Sequence, residues 1–296
     1  RGVFYPPGLP QRRELEFASR CFPSIELNGS FYSLQRPESY ALWHDETPAD
    51  FVFSVKGPRY ITHIRRLRDV RKPLANFFAS GLLRLGPKLG PFLWQFPPNF
   101  RFNAELLEDF FALLPRSSAD ALTLARGREP RMHGRSALAI DADRPLRHSI
   151  EVRHESFRDP EFVALLRRWD VALVVADTAG KWPLLEDLTA DFVYMRLHGD
   201  EELYVSGYTD AALQHWARRI AAWSAGGEAA DAVRASDQPG PRVRSRDVYC
   251  YFDNDAKVHA PFDAATLASR LGLGTPSLPR SPVRVDESAR ASWPAL

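Results

Sequence analysis

Seven short, mostly apolar segments in this chain each finish in side chains that can move protons or hold charge. They read SIELNGSFY (24–32), FVFSVKG (51–57), LGPFLWQF (89–96), HSIEVRH (148–154), VALVVAD (171–177), FVYMRLHG (192–199) and DVYCYFDN (247–254). Glu26 and Glu151 are carboxyls suited to general base work, with Asp177 a third at a strand end. His198 and His63 suit the role of acid or proton relay. Lys56, Arg153 and Arg196 together would clamp an anionic group. Such a set fits acid/base chemistry on a small polar or anionic substrate, by isomerisation or hydrolysis.

Chemistry at those positions requires the segments to be parallel strands. Side chains alternate faces along a strand. Glu26 thus shares a face with Asn28, Lys56 with Ser54, Glu151 with Arg153, and Arg196 with Tyr194 and His198. Helices cover the outside of an α/β barrel, so these polar faces belong inside, at the C-terminal mouth where such folds bind ligands. A buried charge without a partner costs several kcal/mol. The cluster must therefore pair internally or face ligand and water.

Helical periodicity fills the gaps between strands, at 11–22, 73–86, 103–115, 161–169, 210–227 and 263–272. The stretch 178–191 is too short for a convincing long helix. The alternation predicts an α/β fold of the TIM type, a (β/α)₈ barrel. Only seven strands are found. The chain opens at RGVFYPPGLP, a loop directly before the first helix, so the first barrel strand is inferred to be absent from this chain. Residues 1–273 read as one barrel domain with insertions near 116–147 and 225–246, and residues 274–296 as a tail. No GxGxxG follows the first strand and no GxxxxGK[ST] occurs, which counts against dinucleotide and P-loop folds.

Composition narrows the class. With 45% hydrophobic and 26% charged residues, the 296-residue chain is ordinary for a globular protein. No apolar run approaches the roughly 18–20 residues of a membrane span. Cys21 and Cys250 are far apart with no CxxC, and read as buried free thiols in a reducing cytoplasm. No signal peptide is visible, though the chain does not begin with Met. A net charge of +2 is nearly neutral for this size, and the excess of Arg over Lys is weak evidence for nucleic acid. The best basic run is ITHIRRLRDVRK (61–72). With the Arg-rich stretch 116–147 it would contact phosphates in the alternative reading, a nucleic-acid or anion-binding protein without catalysis. A divalent metal is a further variant, with Glu26, Glu151, Asp177, His198 and His154 as candidate ligands. The nearby Arg and Lys charges oppose it, and there is no HExxH. Each position also has an ordinary role open to it. Glu151 and Arg153 would serve as a structural ion pair, Asp177 as a cap, and Gln95 as a partner for buried backbone.

Several motifs resemble, in order, those of the YecE-like family of proteins of unknown function. They are ELNGSFYSL (26–34), FVFSVKGPRYITH (51–63), KLGPFLWQFPPNF (88–100), IEVRHESF (150–157), DFVYMRLHG (191–199) and YCYFDND (249–255). The resemblance runs from about residue 3 to about residue 271. It implies a TIM-type barrel and a relation to sugar isomerases, which points the enzymatic reading at a sugar or sugar phosphate. It also adds Tyr32, His154 and Asn254 to Asn28, Lys56, Gln95, Arg153 and Arg196 as substrate-binding positions. The family's opening strand, a Gly-Thr-Ser-Gly-Trp-like sequence, has no counterpart here. Gly29 and Ser30 stand where the family tends to have Ser and Thr, Asp253 where it tends to have Asn, and Phe157 where it usually has Trp.

Overall fold

The computed structural model describes residues 3–254 and 258–274, so the expected tail lies outside the described residues beyond Gly274. The strands are Ser24–Leu27 (β1), Val52–Lys56 (β2), Leu89–Gln95 (β3), His148–Glu151 (β4), Val171–Asp177 (β5), Phe192–Leu197 (β6) and Asp247–Phe252 (β7). All neighbours pair parallel, in the sequential order β1 to β7. Among the described residues the result is a nearly closed barrel of seven parallel strands, matching a TIM-type barrel with one strand missing.

The helices are Glu14–Cys21 (α1), Gly29–Tyr32 (α2), Pro37–Glu46 (α3), Arg71–Ala79 (α4), Ala104–Leu113 (α5), Ser118–Arg126 (α6), Pro160–Arg168 (α7), Asp210–Ser224 (α8) and Ala260–Arg270 (α9). The starts of α5, α6, α7 and α8 carry side-chain caps. Asn103 Oδ1 accepts from Leu106 N at 2.8 Å, and Asp159 Oδ1 accepts from Glu161 N at 2.8 Å ahead of Pro160. Helix α8 is capped by Thr209, whose Oγ1 accepts from Ala212 N at 3.2 Å.

The stretches 116–147 and 225–246 differ in structure. The stretch 116–147 contains α6, capped by Ser117 and packed on α4 through Ala121 and Ala125. Its buried stripe is alanine, too small and too weakly apolar to register as periodicity. Helix α3 escapes the periodicity reading as well: only Pro37 and Tyr40 are buried along it. Between β5 and β6 no helix forms. Glu186 and Asp187 there are buried and accept from the backbone amides of Val233, Ala235 and Ser236, which tie down the 225–246 stretch. The two cysteines are free, as expected, but each is partly exposed.

Among the described residues three apolar clusters form the core. One joins the outer faces of β2 to β5 to α3 through α7, around Phe77, Phe92, Trp94 and Phe110. A second joins the outer faces of β5 and β6 to α8 and α9 through Val175, Met195 and Trp223. The third lies inside the barrel, with Leu93, Val174, Phe192, Tyr194 and Tyr251. Each fully buried large side chain contributes about 1.5–3 kcal/mol.

No backbone ladder joins β1 to β7 among the described residues. Side chains bridge that seam instead. Ser24 Oγ of β1 lies 2.7 Å from the Tyr251 hydroxyl of β7, and across the barrel Tyr194 of β6 donates its hydroxyl proton to Glu26 of β1 at 2.7 Å.

Candidate functional site

The alternation of the strands sorts the barrel interior into two polar levels. The lower one holds hydroxyls: Ser24, Ser54, Ser149, Tyr194 and Tyr251. Two residues further along each strand, the upper level holds Glu26, Lys56, Gln95, Glu151, Arg196 and Asp253. The hydroxyls are satisfied locally. Ser149 Oγ donates to Phe92 O at 2.8 Å, and Ser54 Oγ sits 2.6 Å from the Tyr194 hydroxyl.

Arg196 is the centre of the upper level and is 1% exposed. Its Nε and Nη2 donate to the two oxygens of Glu26, each at 3.0 Å. Nη2 also donates to Asp253 at 2.9 Å, and Nη1 to Glu151 at 2.8 Å. Nη1 further lies 3.3 Å from His198 Nε2. All five N–H groups of the guanidinium are thus committed. An Arg196 clamp on an external anion, expected from sequence, has no donors left to make it.

Glu151 is fully buried. Its Oε1 accepts from Gln95 Nε2 at 2.9 Å and from Arg153 Nε at 2.8 Å. Burial alone would raise its pKa, but the Arg153 and Arg196 guanidiniums outweigh burial and hold the carboxyl well below the usual range. A carboxylate that is so low in pKa and so fully engaged is a poor general base and a strong organiser. Asp253 is likewise lowered: burial opposes, but His198 and Arg196 prevail.

His198 is fully buried just past the end of β6. Arginine only donates, so His198 Nε2 accepts from Arg196 and the ring proton sits on Nδ1. That nitrogen is 3.2 Å from Asp253 Oδ2, at an angle outside a well-formed hydrogen bond.

The remaining cations differ from Arg196. Arg153 stacks on Trp182 at 3.8 Å and donates through Nη2 to Tyr204 at 3.3 Å. Its Nη1 meets no protein acceptor among the described residues. Lys56 is 7% exposed, with Nζ 4.5 Å above the Phe31 ring. No described residue accepts a hydrogen bond from it. Burial, then the charge of Arg196, lowers the Lys56 pKa, while Glu26, Glu151 and Asp253 oppose that shift.

Other expected residues stand at the rim. His63 lies half-buried on the turn Tyr60–Ile64 after β2, edge-on to Phe31, with Thr62 Oγ1 2.9 Å from its Nδ1. Burial, then Arg153 and Lys56, press its pKa down to about 4, so it is neutral at neutral pH. Tyr32 is 72% exposed and edge-on to Phe31, and Asn28 is exposed.

Three expected residues face elsewhere. Asp177 is in phase with Val175, on the outer face of β5, and accepts from the Tyr208 hydroxyl at 3.1 Å. Asn254 donates to Ser206 O at 3.0 Å and to Asp263 at 2.8 Å, bracing α9. His154 Nδ1 accepts from Ser156 N at 3.0 Å and caps a short 3₁₀ turn. The sequence reading missed Asp253, Tyr204 and Trp182 as neighbours of the cluster. The alternation Tyr249, Tyr251, Asp253 carries the signal for the first. The other two arrive on loops, where alternation says nothing.

A divalent cation does not fit this donor set. Glu26, Glu151 and Asp253 converge on a guanidinium, and its positive charge stands where a metal would have to sit. Among the described residues no group of three or more His, Cys, Asp or Glu side chains is arranged to hold a metal ion. Part of the basic run is engaged locally: Arg65 pairs with Asp69, Arg66 donates to Asn99, and Lys72 donates to Gly127 O, while Arg68 and Arg71 are exposed. No helix among the described residues is long and apolar enough to cross a membrane.

Residues 1–285 match the family model described as "Protein of unknown function DUF72". The UPF0759 protein YecE of Escherichia coli (strain K12) is 30% identical over 166 residues, 50% of this chain and 58% of that protein. The UPF0759 protein YunF of Bacillus subtilis (strain 168) is 34% identical over 106 residues, 34% of this chain and 38% of that protein. The chain thus spans about half the length of the curated relatives it matches. A solved DUF72 family protein from Thermotoga maritima MSB8 superposes with a TM-score of 0.68 at 23% identity, covering 92% of this chain and 94% of that one. Another, from Enterococcus faecalis V583, gives 0.65 at 16% identity, covering 91% and 92%. At these identities the likeness to the two solved structures is one of fold.

Proposed function

The chain belongs to the family described as Protein of unknown function DUF72, and on that footing we propose that its barrel mouth binds and transforms a small anionic molecule. The substrate class is a sugar or sugar phosphate, and the chemistry is acid/base isomerisation or hydrolysis. One observation carries the reading: the carboxylates of the mouth are consumed by Arg196, while Lys56 Nζ and Arg153 Nη1 point donors at no described protein acceptor. Unpaired donors held in a mostly buried site, the permanently charged Arg153 among them, select a compact anion. His63, with its pKa pressed to about 4, stands neutral at the rim beside them as a weak base. Glu26, Glu151 and Asp253 orient the guanidinium and, through it, His198. Three of the basic run's five cations, Arg65, Arg66 and Lys72, are spent on local contacts, which gives the anion-site reading more support than a nucleic-acid surface.

Thermal unfolding in the presence of inorganic phosphate, ribose 5-phosphate, glucose 6-phosphate and the two unphosphorylated sugars tests this. At a hundredfold excess over Kd a ligand stabilises by about 2.7 kcal/mol. At about 2–4 °C per kcal/mol that shift is readily measured. Phosphorylated compounds are expected to raise the Tm, and Arg153→Gln to abolish the rise. No stabilisation by any member, or equal stabilisation of the variant, would overturn the reading.

A further inference from the structure

Lys56 is unlike every other described lysine of the chain. The sequence holds five: Lys56, Lys72, Lys88, Lys181 and Lys257. Lys88 is buried but satisfied, donating to His44 O, Thr47 O and Thr47 Oγ1. Lys72 is exposed and bonded to Gly127 O, and Lys181 is exposed beside Trp182. Lys56 alone among the described lysines is buried with an ammonium that has an aromatic ring beneath it and no hydrogen-bond acceptor.

Its position is also held firmly. Ser30 Oγ donates to Lys56 O at 2.7 Å, which pins the strand end. The next residue is Gly57, where a Cβ would come within 2.3 Å of Trp94, so the backbone lies directly against that indole. The side chain therefore leaves a rigid strand end, passes over Phe31 and finishes in the mouth. Apolar surroundings and a neighbouring guanidinium both favour the neutral amine, which is the nucleophilic form.

We propose that Lys56 is a covalent nucleophile that condenses with the carbonyl carbon of a small anionic aldehyde or ketone. This rests on the reading that the mouth takes a small anion, whose charged group Arg153 receives. Nζ, as the free amine, forms an N–C bond to the carbonyl carbon while the carbonyl π pair moves to oxygen. The carbinolamine then loses that oxygen as water, which carries one proton from the nitrogen and one from solvent, replacing the proton the ammonium gave up. The product is an iminium, and no oxidant or reductant is involved. Its positive nitrogen draws electrons from the adjacent carbon and so acidifies the proton on that carbon.

The test is reductive trapping. The purified chain is incubated with dihydroxyacetone phosphate and sodium borohydride, then analysed by intact mass and peptide mapping. The expected result is a single adduct on the Lys56 peptide, in clear excess over the exposed Lys72, and absent from Lys56→Arg. Absence of the Lys56 adduct, or labelling no greater than that of Lys72, overturns the proposal. Peptide mapping of the unmutated chain decides this even if the variant fails to fold. The thermal shift with inorganic phosphate, measured on the same sample, separates the two readings. A phosphate shift without trapping removes the iminium and leaves the anion site standing, whereas neither signal removes both.

Discussion

Replacing Glu151 by Gln keeps the side-chain shape and removes one charge from the middle of the cluster. In the parent chain Glu151 accepts from three donors at 2.8–2.9 Å: Gln95, Arg153 and Arg196. A glutamine amide presents an NH₂ to at least one of them, so a donor meets a donor. The side chain has no solvent exposure, so water cannot repair the loss. Breaking a buried pair from one side costs about 3–5 kcal/mol. At about 2–4 °C per kcal/mol, the Tm should fall by roughly 10 °C. The deficit depends on pH in a defined direction. The folded pKa lies well below the 4.5 of a free glutamate, so the unfolded chain takes up a proton that the folded chain refuses. The stability from this carboxylate is complete above pH 4.5 and is lost as the pH falls toward the folded pKa. Glu151→Gln lacks that component, so its gap to the parent should narrow in acid. Urea unfolding at neutral pH and near pH 3, followed by tryptophan fluorescence, measures both gaps. A gap under about 1 kcal/mol at neutral pH, or one equal at the two pH values, would refute the central role given to Glu151.

Two further outcomes follow from single contacts. His148 donates from Nε2 to Pro115 O at 2.8 Å and accepts at Nδ1 from the Trp94 indole at 3.2 Å, so it is the neutral Nε2–H tautomer. Burial lowers its pKa from 6.5 to about 3, so its stabilising contribution is present above 6.5 and lost between there and about 3. Its ring-proton NMR shifts should stay flat from pH 7 to 4, and a titration near 6.5 in the folded protein would contradict the geometry. Gly57→Ala drives a Cβ to 2.3 Å from the Trp94 ring. An overpacking cost of about 1–3 kcal/mol should appear as a lower urea midpoint, and an unchanged midpoint would show that Trp94 can yield.

Much of the site was legible because a strand's period is two. Glu26, Lys56, Glu151 and Arg196 are each in phase with a small or hydroxyl-bearing residue two positions earlier: Ser24, Ser54, Ser149 and Tyr194. That phase places them inside the barrel without further information. The strand VALVVAD is apolar on both faces, so alternation gives no phase and Asp177 could not be oriented from sequence. His154 lies in a turn beyond its strand, where the alternation has ended. Helix α6 shows the same limit for helices, since a stripe of alanines carries little periodic contrast.

Residue order alone determined the parallel α/β barrel, the count of seven strands and the polarity of the strand ends, because these rest on local periodicity and on chain-adjacent pairing. The tertiary structure decided which charges meet. Arg196 finds Glu26 at a separation of 170 residues and Glu151 at 45, and Arg153 takes the other oxygen of Glu151. Those partnerships depend on strand register and on how far the barrel curls toward closure, neither of which is written in any local window. That closure brings the carboxylates onto Arg196 and leaves Lys56 over Phe31 without a described hydrogen-bond partner.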